Sequence, residues 1–168
     1  MADQRTLYVT ALQNTHAMEL QALQIMERQI ERIQNYPEVA QALRNHVAET
    51  HIQRDRLEEA LKAVGETPSA LKEGVLGLVG NMAALAHTPA TDEIIKNGLA
   101  NRAFENYEAA AYQALLVFTQ AAGESRFLSA FQTSLDEEIA MAQRVADMMP
   151  AVTQRYIDLT LQGRSADR

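Results

Sequence analysis

The chain contains no cysteine, which excludes disulfides, thiolate-bound metal, iron–sulfur clusters and cysteine nucleophiles. Any metal must then be held by Glu, Asp and His, a donor set that suits iron, manganese or a similar divalent ion better than structural zinc. Glycine and proline are scarce, at seven and four of 168 residues. β-Branched residues are also sparse while Ala, Leu, Gln, Glu and Met abound, so helix is favoured over strand. No stretch approaches the roughly 18 uninterrupted apolar residues of a membrane span, and the start Met1-Ala-Asp-Gln-Arg5 lacks the basic-then-apolar profile of a signal peptide. A cytoplasmic location without a membrane partner is expected. There is no Lys/Arg run, and the net charge is −7, which argues against nucleic acid as a partner, because phosphate binding needs a clustered positive surface.

Apolar residues make up 47% of the chain, enough for a substantial core. The expected fold is all-α, a single domain over residues 1–162 with a mobile tail at 163–168. In the first helix, about 3–34, Leu12, Glu19, Met26 and Ile33 recur by sevens with His16, Leu23 and Ile30 beside them. Asn35-Tyr36-Pro37 ends it, and Pro37 opens the second helix, about 37–64, with Gly65 as its stop. The third helix is placed at 89–122, from the Thr88-Pro89 cap to Gly123, and the fourth at 125–149; Pro150 opens a short fifth helix at 150–161. If the four long helices pair as two antiparallel hairpins, residues 66–88 form a long crossover between the second and third, and the whole is a four-helix bundle.

The polar interruptions of these seams are the chemical signal. On the third helix Glu105, Glu108, Tyr112 and Leu115 share one face, and Ile94, Asn101, Glu108, Leu115 and Ala122 form a row spaced by sevens. Buried carboxylates are costly unless protonated, paired or bound to a metal. The first helix adds His16 and Glu19 at its middle; the second adds His46, Glu49 and Gln53; the fourth adds Glu137 and Glu138 among Leu128, Phe131, Leu135, Val145 and Met149.

A faint internal repeat supports this arrangement. His16-Ala-Met-Glu19-Leu-Gln-Ala-Leu23 lies over Glu105-Asn-Tyr-Glu108-Ala-Ala-Ala-Tyr112, and Leu43-x-x-x-Val47-Ala-Glu49-Thr50 lies over Phe131-x-x-x-Leu135-Asp-Glu137-Glu138. The equivalent pairs are Glu19 with Glu108, Glu49 with Glu137, and His16 with Glu105. On the fourth helix the repeat selects Glu137 and the heptad selects Glu138; because the repeat matches apolar landmarks on both sides, Glu137 is preferred.

Four helices with a crossover after the second, each bringing Glu to the centre, resemble the ferritin-like di-iron and di-manganese carboxylate proteins, and Glu105-x-x-Glu108-x-x-x-Tyr112 looks like the third helix of the rubrerythrin type. More specifically, His16-Ala-Met-Glu-x-Gln, Glu31-Arg-Ile-Gln-Asn-Tyr-Pro, His46-Val-Ala-Glu-Thr, Gly80-Asn-Met-Ala-Ala-Leu-Ala-His, Asp92-Glu-Ile-Ile-Lys-Asn, Phe104-Glu-Asn-Tyr-Glu and Leu135-Asp-Glu-Glu together resemble the YciE/YciF-like family of bacterial ferritin-like proteins, over about residues 7–160. The resemblance implies a ferritin-like bundle, dimeric and associated with stress. One departure matters: the ferritin-like pattern has Glu-x-x-His on the second and fourth helices, but Glu49 is followed by Ile52, and Glu137 and Glu138 by Ala140 and Met141.

The candidate metal ligands are therefore Glu19, His46, Glu49, Glu105, Glu108, Glu137 and Glu138, with a di-iron centre, manganese or another divalent metal as cofactor and oxygen or peroxide as the small partner. His16 is read as a hydrogen-bonded partner of its neighbours, His51 and His87 as surface or crossover residues, and Tyr112 as packing near the site. Two readings stay open. The carboxylates either bind metal, or form a metal-free polar layer that is partly protonated or paired with Arg54 or Arg102. In the second case the chain is a non-enzymatic stress-associated structural or interaction protein, a homodimer built on the crossover and the C-terminal helix. Iron storage in a shell is the weakest alternative.

Overall fold

Asp3 starts the first helix by accepting a hydrogen bond from the Thr6 backbone N–H at 2.8 Å, and α1 then runs Gln4–Arg32. The computed structural model describes residues 3–67 and 90–168. Helix α2, Pro37–Ala63, opens on Pro37, where the missing N–H removes a donor that would otherwise have no partner. It closes in a Schellman turn: Gly65 takes φ 76°, and the Glu66 N–H reaches the Leu61 carbonyl at 2.9 Å. Helix α3, Glu93–Ala121, closes the same way at Gly123, with the Glu124 N–H on the Thr119 carbonyl at 3.1 Å. A single 3-10 turn, Ser125–Phe127, leads into α4, Leu128–Leu161.

Each helix buries one row at the expected period: Leu12, Glu19 and Met26 on α1; Leu43, His46, Thr50, Gln53 and Leu57 on α2; Phe104, Glu108, Tyr112 and Leu115 on α3; Phe131, Ser134, Glu138, Met141 and Val145 on α4. The rows meet in one core, and α1/α2 and α3/α4 form the two antiparallel hairpins. α2 ends beside the start of α1, where Arg5 donates to the Val64 carbonyl at 2.6 Å. α3 begins beside the end of α1, where the Arg32 guanidinium grips the buried Glu93 carboxylate at 2.7 and 2.6 Å. The link between α2 and α3 therefore returns the full length of the bundle, as a long crossover. Its residues 68–89, with the expected Thr88-Pro89 cap, lie outside the described residues.

Three boundaries differ from the sequence expectation. α3 begins at Glu93 rather than at 89; residues 91–92 form a turn, and Asp92 is held by Lys96 at 2.8 Å. The segment after Pro150 is helical, but it continues α4 without a break instead of forming a separate element. An interior proline loses one backbone hydrogen bond and costs ~3 kcal/mol. Beyond it Val152 and Leu159 bury themselves against Tyr36, Ile94 and Ala166, a second small apolar cluster that caps one end of the bundle and offsets that cost.

The third difference concerns residues 163–168, which are seated rather than trailing free. The Tyr36 hydroxyl donates to the Ala166 carbonyl at 2.6 Å, the Ile94 N–H to Asp167 at 2.8 Å and the Asn35 N–H to Arg168 at 3.1 Å. The tail thereby satisfies backbone donors at the start of α3 and in the α1–α2 turn. Tyr36→Phe is expected to lower stability by about 1 kcal/mol in urea denaturation and to speed amide hydrogen exchange at Ile94 and Asn35. Unchanged exchange at both amides would mean that the tail does not depend on this bond.

Candidate metal centre

Every helix delivers a polar side chain to one layer near the middle of the bundle. α1 brings Glu19, α2 His46, α3 Glu105 and Glu108 one turn apart, and α4 Glu138, all 5% exposed or less. One donor atom from each of His46, Glu105, Glu108 and Glu138 lies within 4.8 Å of the others. Glu19 adjoins them and is tied by Tyr112, whose hydroxyl donates to Glu19 Oε1 at 2.5 Å.

The imidazole of His46 is gripped from both sides. Nδ1 lies 3.0 Å from Glu49 Oε2, and Nε2 faces Glu105 Oε2 at 3.0 Å and Glu138 Oε2 at 3.4 Å. Neither contact of Nε2 has the direction of a hydrogen bond. Glu49 accepts the Nδ1 proton, so that loss of the Nε2 proton, as when a cation replaces it, would leave the Nε2 lone pair facing the cluster.

The same misalignment holds for the oxygens. Glu19 Oε2, Glu105 Oε2, both oxygens of Glu108 and both of Glu138 are buried without a hydrogen-bond partner. Buried acceptors are ordinarily satisfied, so atoms that crowd to a few ångströms without a hydrogen bond converge on one small region. Oxygen donors with one imidazole nitrogen fit a hard or borderline divalent cation.

Electrostatics point the same way. Burial pushes the Glu19 and Glu108 carboxyls well above the ordinary range, with the Glu138 charge adding to the effect on both. Glu138 itself is raised to about 7 by burial, an effect that His46 opposes. Burial alone would lower His46, but the carboxylates of Glu105 and Glu138 beside the ring overcome it and raise the imidazole to about 11. Without a cation, protons neutralise the layer.

Of the residues singled out in the sequence, Glu19, His46, Glu105, Glu108 and Glu138 meet here. Glu137 and Glu49 do not. The preference for Glu137 over Glu138 is reversed in the structure: Glu138 is wholly buried, while Glu137 turns outward to Arg56 at 2.7 Å and to the Gln53 amide at 3.1 Å. Glu49 has a side chain 49% exposed and reaches the centre only through His46. The two are equivalent in the repeat, and both rim a groove between α2 and α4, with Asp136, Thr133 and Arg144, that opens onto His46. His16 pairs with Glu58 at 3.1 Å. Arg54, a candidate neutralising partner, is taken by Asp55 at 2.6 Å and does not enter the layer. The hydrogen bond from Tyr112 to Glu19 was legible only as a shared face; i+4 spacing from Glu108 gives no partner on α1.

The raised carboxyls fix a pH dependence. In the metal-free fold they hold protons that the unfolded chain has released, so the stability they contribute is complete below about 4.5 and is lost as pH rises, for Glu138 through about 7. His46 acts in the same sense, losing its contribution as pH rises from 6.5 through about 11. The depressed Asp3, Asp92 and Asp167 finish titrating below their ordinary 3.8 and do not oppose this. Metal-free protein is therefore expected to unfold at lower urea at pH 8 than at pH 5. A midpoint that rises over that interval would contradict the proton-filled layer.

Comparison with known proteins agrees with this geometry. A family model described as "Domain of unknown function (DUF892)" matches residues 3–158. A solved protein, XCC3681 from Xanthomonas campestris pv. campestris, is 27% identical, with a TM-score of 0.79 over 95% of this chain and 99% of its own. YcfI from Rhodopseudomonas palustris is 25% identical, with a TM-score of 0.75 over 86% of this chain and 94% of its own. The E. coli stress protein YciF shares the fold at 20% identity, with a TM-score of 0.76 over 89% of this chain and 96% of its own. Among the described residues no helix is long and apolar enough to cross a membrane. The buried His/Glu layer thus belongs to a bundle with solved relatives along almost all of its length, and the chain is a member of the DUF892 family of YciF/YcfI-type ferritin-like proteins.

Proposed function

We propose that the protein binds a redox-capable divalent metal, iron or manganese, through His46, Glu105, Glu108 and Glu138, and handles that metal or its reaction with oxygen or peroxide under stress. The observation that carries this reading is the set of buried oxygens and one nitrogen that crowd together without pairing. The name of YciF as a stress protein is the support for the physiological setting. When bound, such an ion would supply one-electron chemistry and polarise an oxidant. The chain's own residues do the rest. Glu49 orients the His46 ring, Tyr112 holds Glu19 beside the ligands, and the burial of the ligands themselves excludes water. The acid-rimmed groove between α2 and α4 gives a cation a favourable approach to His46.

Anaerobic loading with Fe(II) or Mn(II), followed by elemental analysis, is expected to show metal bound in stoichiometric amount and the pH trend of stability reversed, because ligation needs the carboxylates deprotonated. Glu105→Gln with Glu108→Gln should abolish binding while helicity by circular dichroism is retained. Wild-type protein that takes up no metal would sink the reading.

Stability without metal gives a second test. Glu108→Leu replaces an unpaired buried carboxyl with an apolar side chain and should raise metal-free stability by roughly 1–4 kcal/mol while removing stabilisation by metal. If the layer were instead a structural polar network, the same substitution would destabilise the fold.

A further inference from the structure

We infer that the centre holds one ion per chain, on its α3/α4 side, and that the α1/α2 side lacks the ligands for a second. This rests on the metal-binding reading above and departs from the ion pair implied by the resemblance. The internal repeat supplies the comparison. With Glu19 over Glu108 and Glu49 over Glu137, the register places His16 over Glu105, Thr50 over Glu138, and Gln53 over Met141. The inner row of α4 is built around Glu138 and that of α2 around Thr50, both at 1% exposure or less. A symmetric two-ion centre needs a carboxylate from each of these positions, reaching between the ions.

The α1/α2 half lacks that capacity residue by residue. The Thr50 hydroxyl is committed to the His46 backbone carbonyl at 2.9 Å. His16 turns away to Glu58 at 3.1 Å. Glu19 keeps one oxygen for the Tyr112 hydroxyl at 2.5 Å, and only its other oxygen is unpaired. His46 sits on α2 but aims Nε2 across the bundle at Glu105 and Glu138. On the α3/α4 half, by contrast, Glu108 and Glu138 each leave both oxygens unpaired, and Glu105 leaves one. Four side chains serve one cation there, whereas a second would find a single acidic oxygen, from Glu19, and the neutral Gln53 Oε1.

The test is the count and the spectrum of Mn(II) on the full chain, by native mass spectrometry and electron paramagnetic resonance. One ion per chain with a six-line mononuclear spectrum is expected. Two ions with an exchange-coupled spectrum would overturn this inference and leave the metal-binding reading intact; none would overturn both. The two halves are separated by single substitutions. Glu19→Gln should retain one ion with affinity lowered by about 10–100-fold, as for a residue that supports the ligands from outside, and Glu108→Gln should lose it. Loss of binding in a helical Glu19→Gln would overturn the one-sided assignment. Thr50→Glu, which restores the missing carboxylate, should admit a second ion; a helical Thr50→Glu that still binds one would show that Thr50 is not what limits the count.

Discussion

The cost of gathering carboxylates in a dry interior governs this structure. Glu19, Glu105, Glu108 and Glu138 are all 3% exposed or less, and a single imidazole, His46, faces them. Ionised together, the four would repel one another across a few ångströms of low-dielectric protein, and each would also have given up its hydration. The fold survives that arrangement because the charge is adjustable. Protons neutralise the layer when nothing else does, which is why Glu19, Glu108 and Glu138 all hold their protons to higher pH than an exposed glutamate. A divalent cation at the same point would replace those protons, turning mutual repulsion into shared attraction.

The rest of the bundle supports that layer from its two ends. On one side Tyr8, Leu12, Leu57, Leu61, Leu115 and Phe131 are each 1% exposed or less, a tightly packed apolar plug. On the other side the continuation of α4 past Pro150 carries Val152 and Leu159 over Tyr36 and Ile94, and the chain's last residues close onto the same place. The Arg32–Glu93 fork ties α1 to α3 there. Contacts between α2 and α4 are the sparsest among the neighbouring long helices, and it is there that the acidic groove reaches His46. Among the described residues the bundle is thus firm at its ends and along three helix seams, and is least closely packed along the fourth.

Much of this was readable in the sequence, because the signals concerned are local. Pro37 at a helix start and Gly65 and Gly123 at helix ends act through their own backbone geometry, and the structure puts them where that geometry requires. The five buried ligand candidates follow from helical periodicity alone. What misled was a choice between neighbours. The repeat correctly aligned Glu49 with Glu137, but both lie on the groove side, and the buried row of α4, Phe131, Ser134, Glu138, Met141 and Val145, steps by three and four residues through Glu138. Pro150 misled for a different reason. Its break signal is local, whereas the packing of Val152 and Leu159 that carries the helix through it is tertiary. The docking of residues 163–168 had no sequence signal, since it rests on backbone carbonyls that any residue supplies.

The decisive contrast lies within the core itself. Other polar side chains are buried in this bundle, and the sequence settles them. Gln29 and Asn101 exchange reciprocal amide hydrogen bonds at 3.0 and 2.8 Å. Thr50 and Thr119 return their hydroxyls to the carbonyl one turn back at 2.9 and 2.7 Å, and Ser134 accepts from Arg56 at 2.9 Å. A polar layer kept only to specify helix pairing would be finished in the same manner, because an unpaired buried acceptor costs about 1–3 kcal/mol. Among the described residues the unpaired buried atoms are instead concentrated at one point, with the Tyr8 hydroxyl, the Gln53 carbonyl and Arg168 Nε as the scattered remainder. A chain able to pair glutamine with asparagine a few turns away leaves Glu108 and Glu138 with oxygens that no hydrogen bond within the fold satisfies, a donor set that could coordinate a cation.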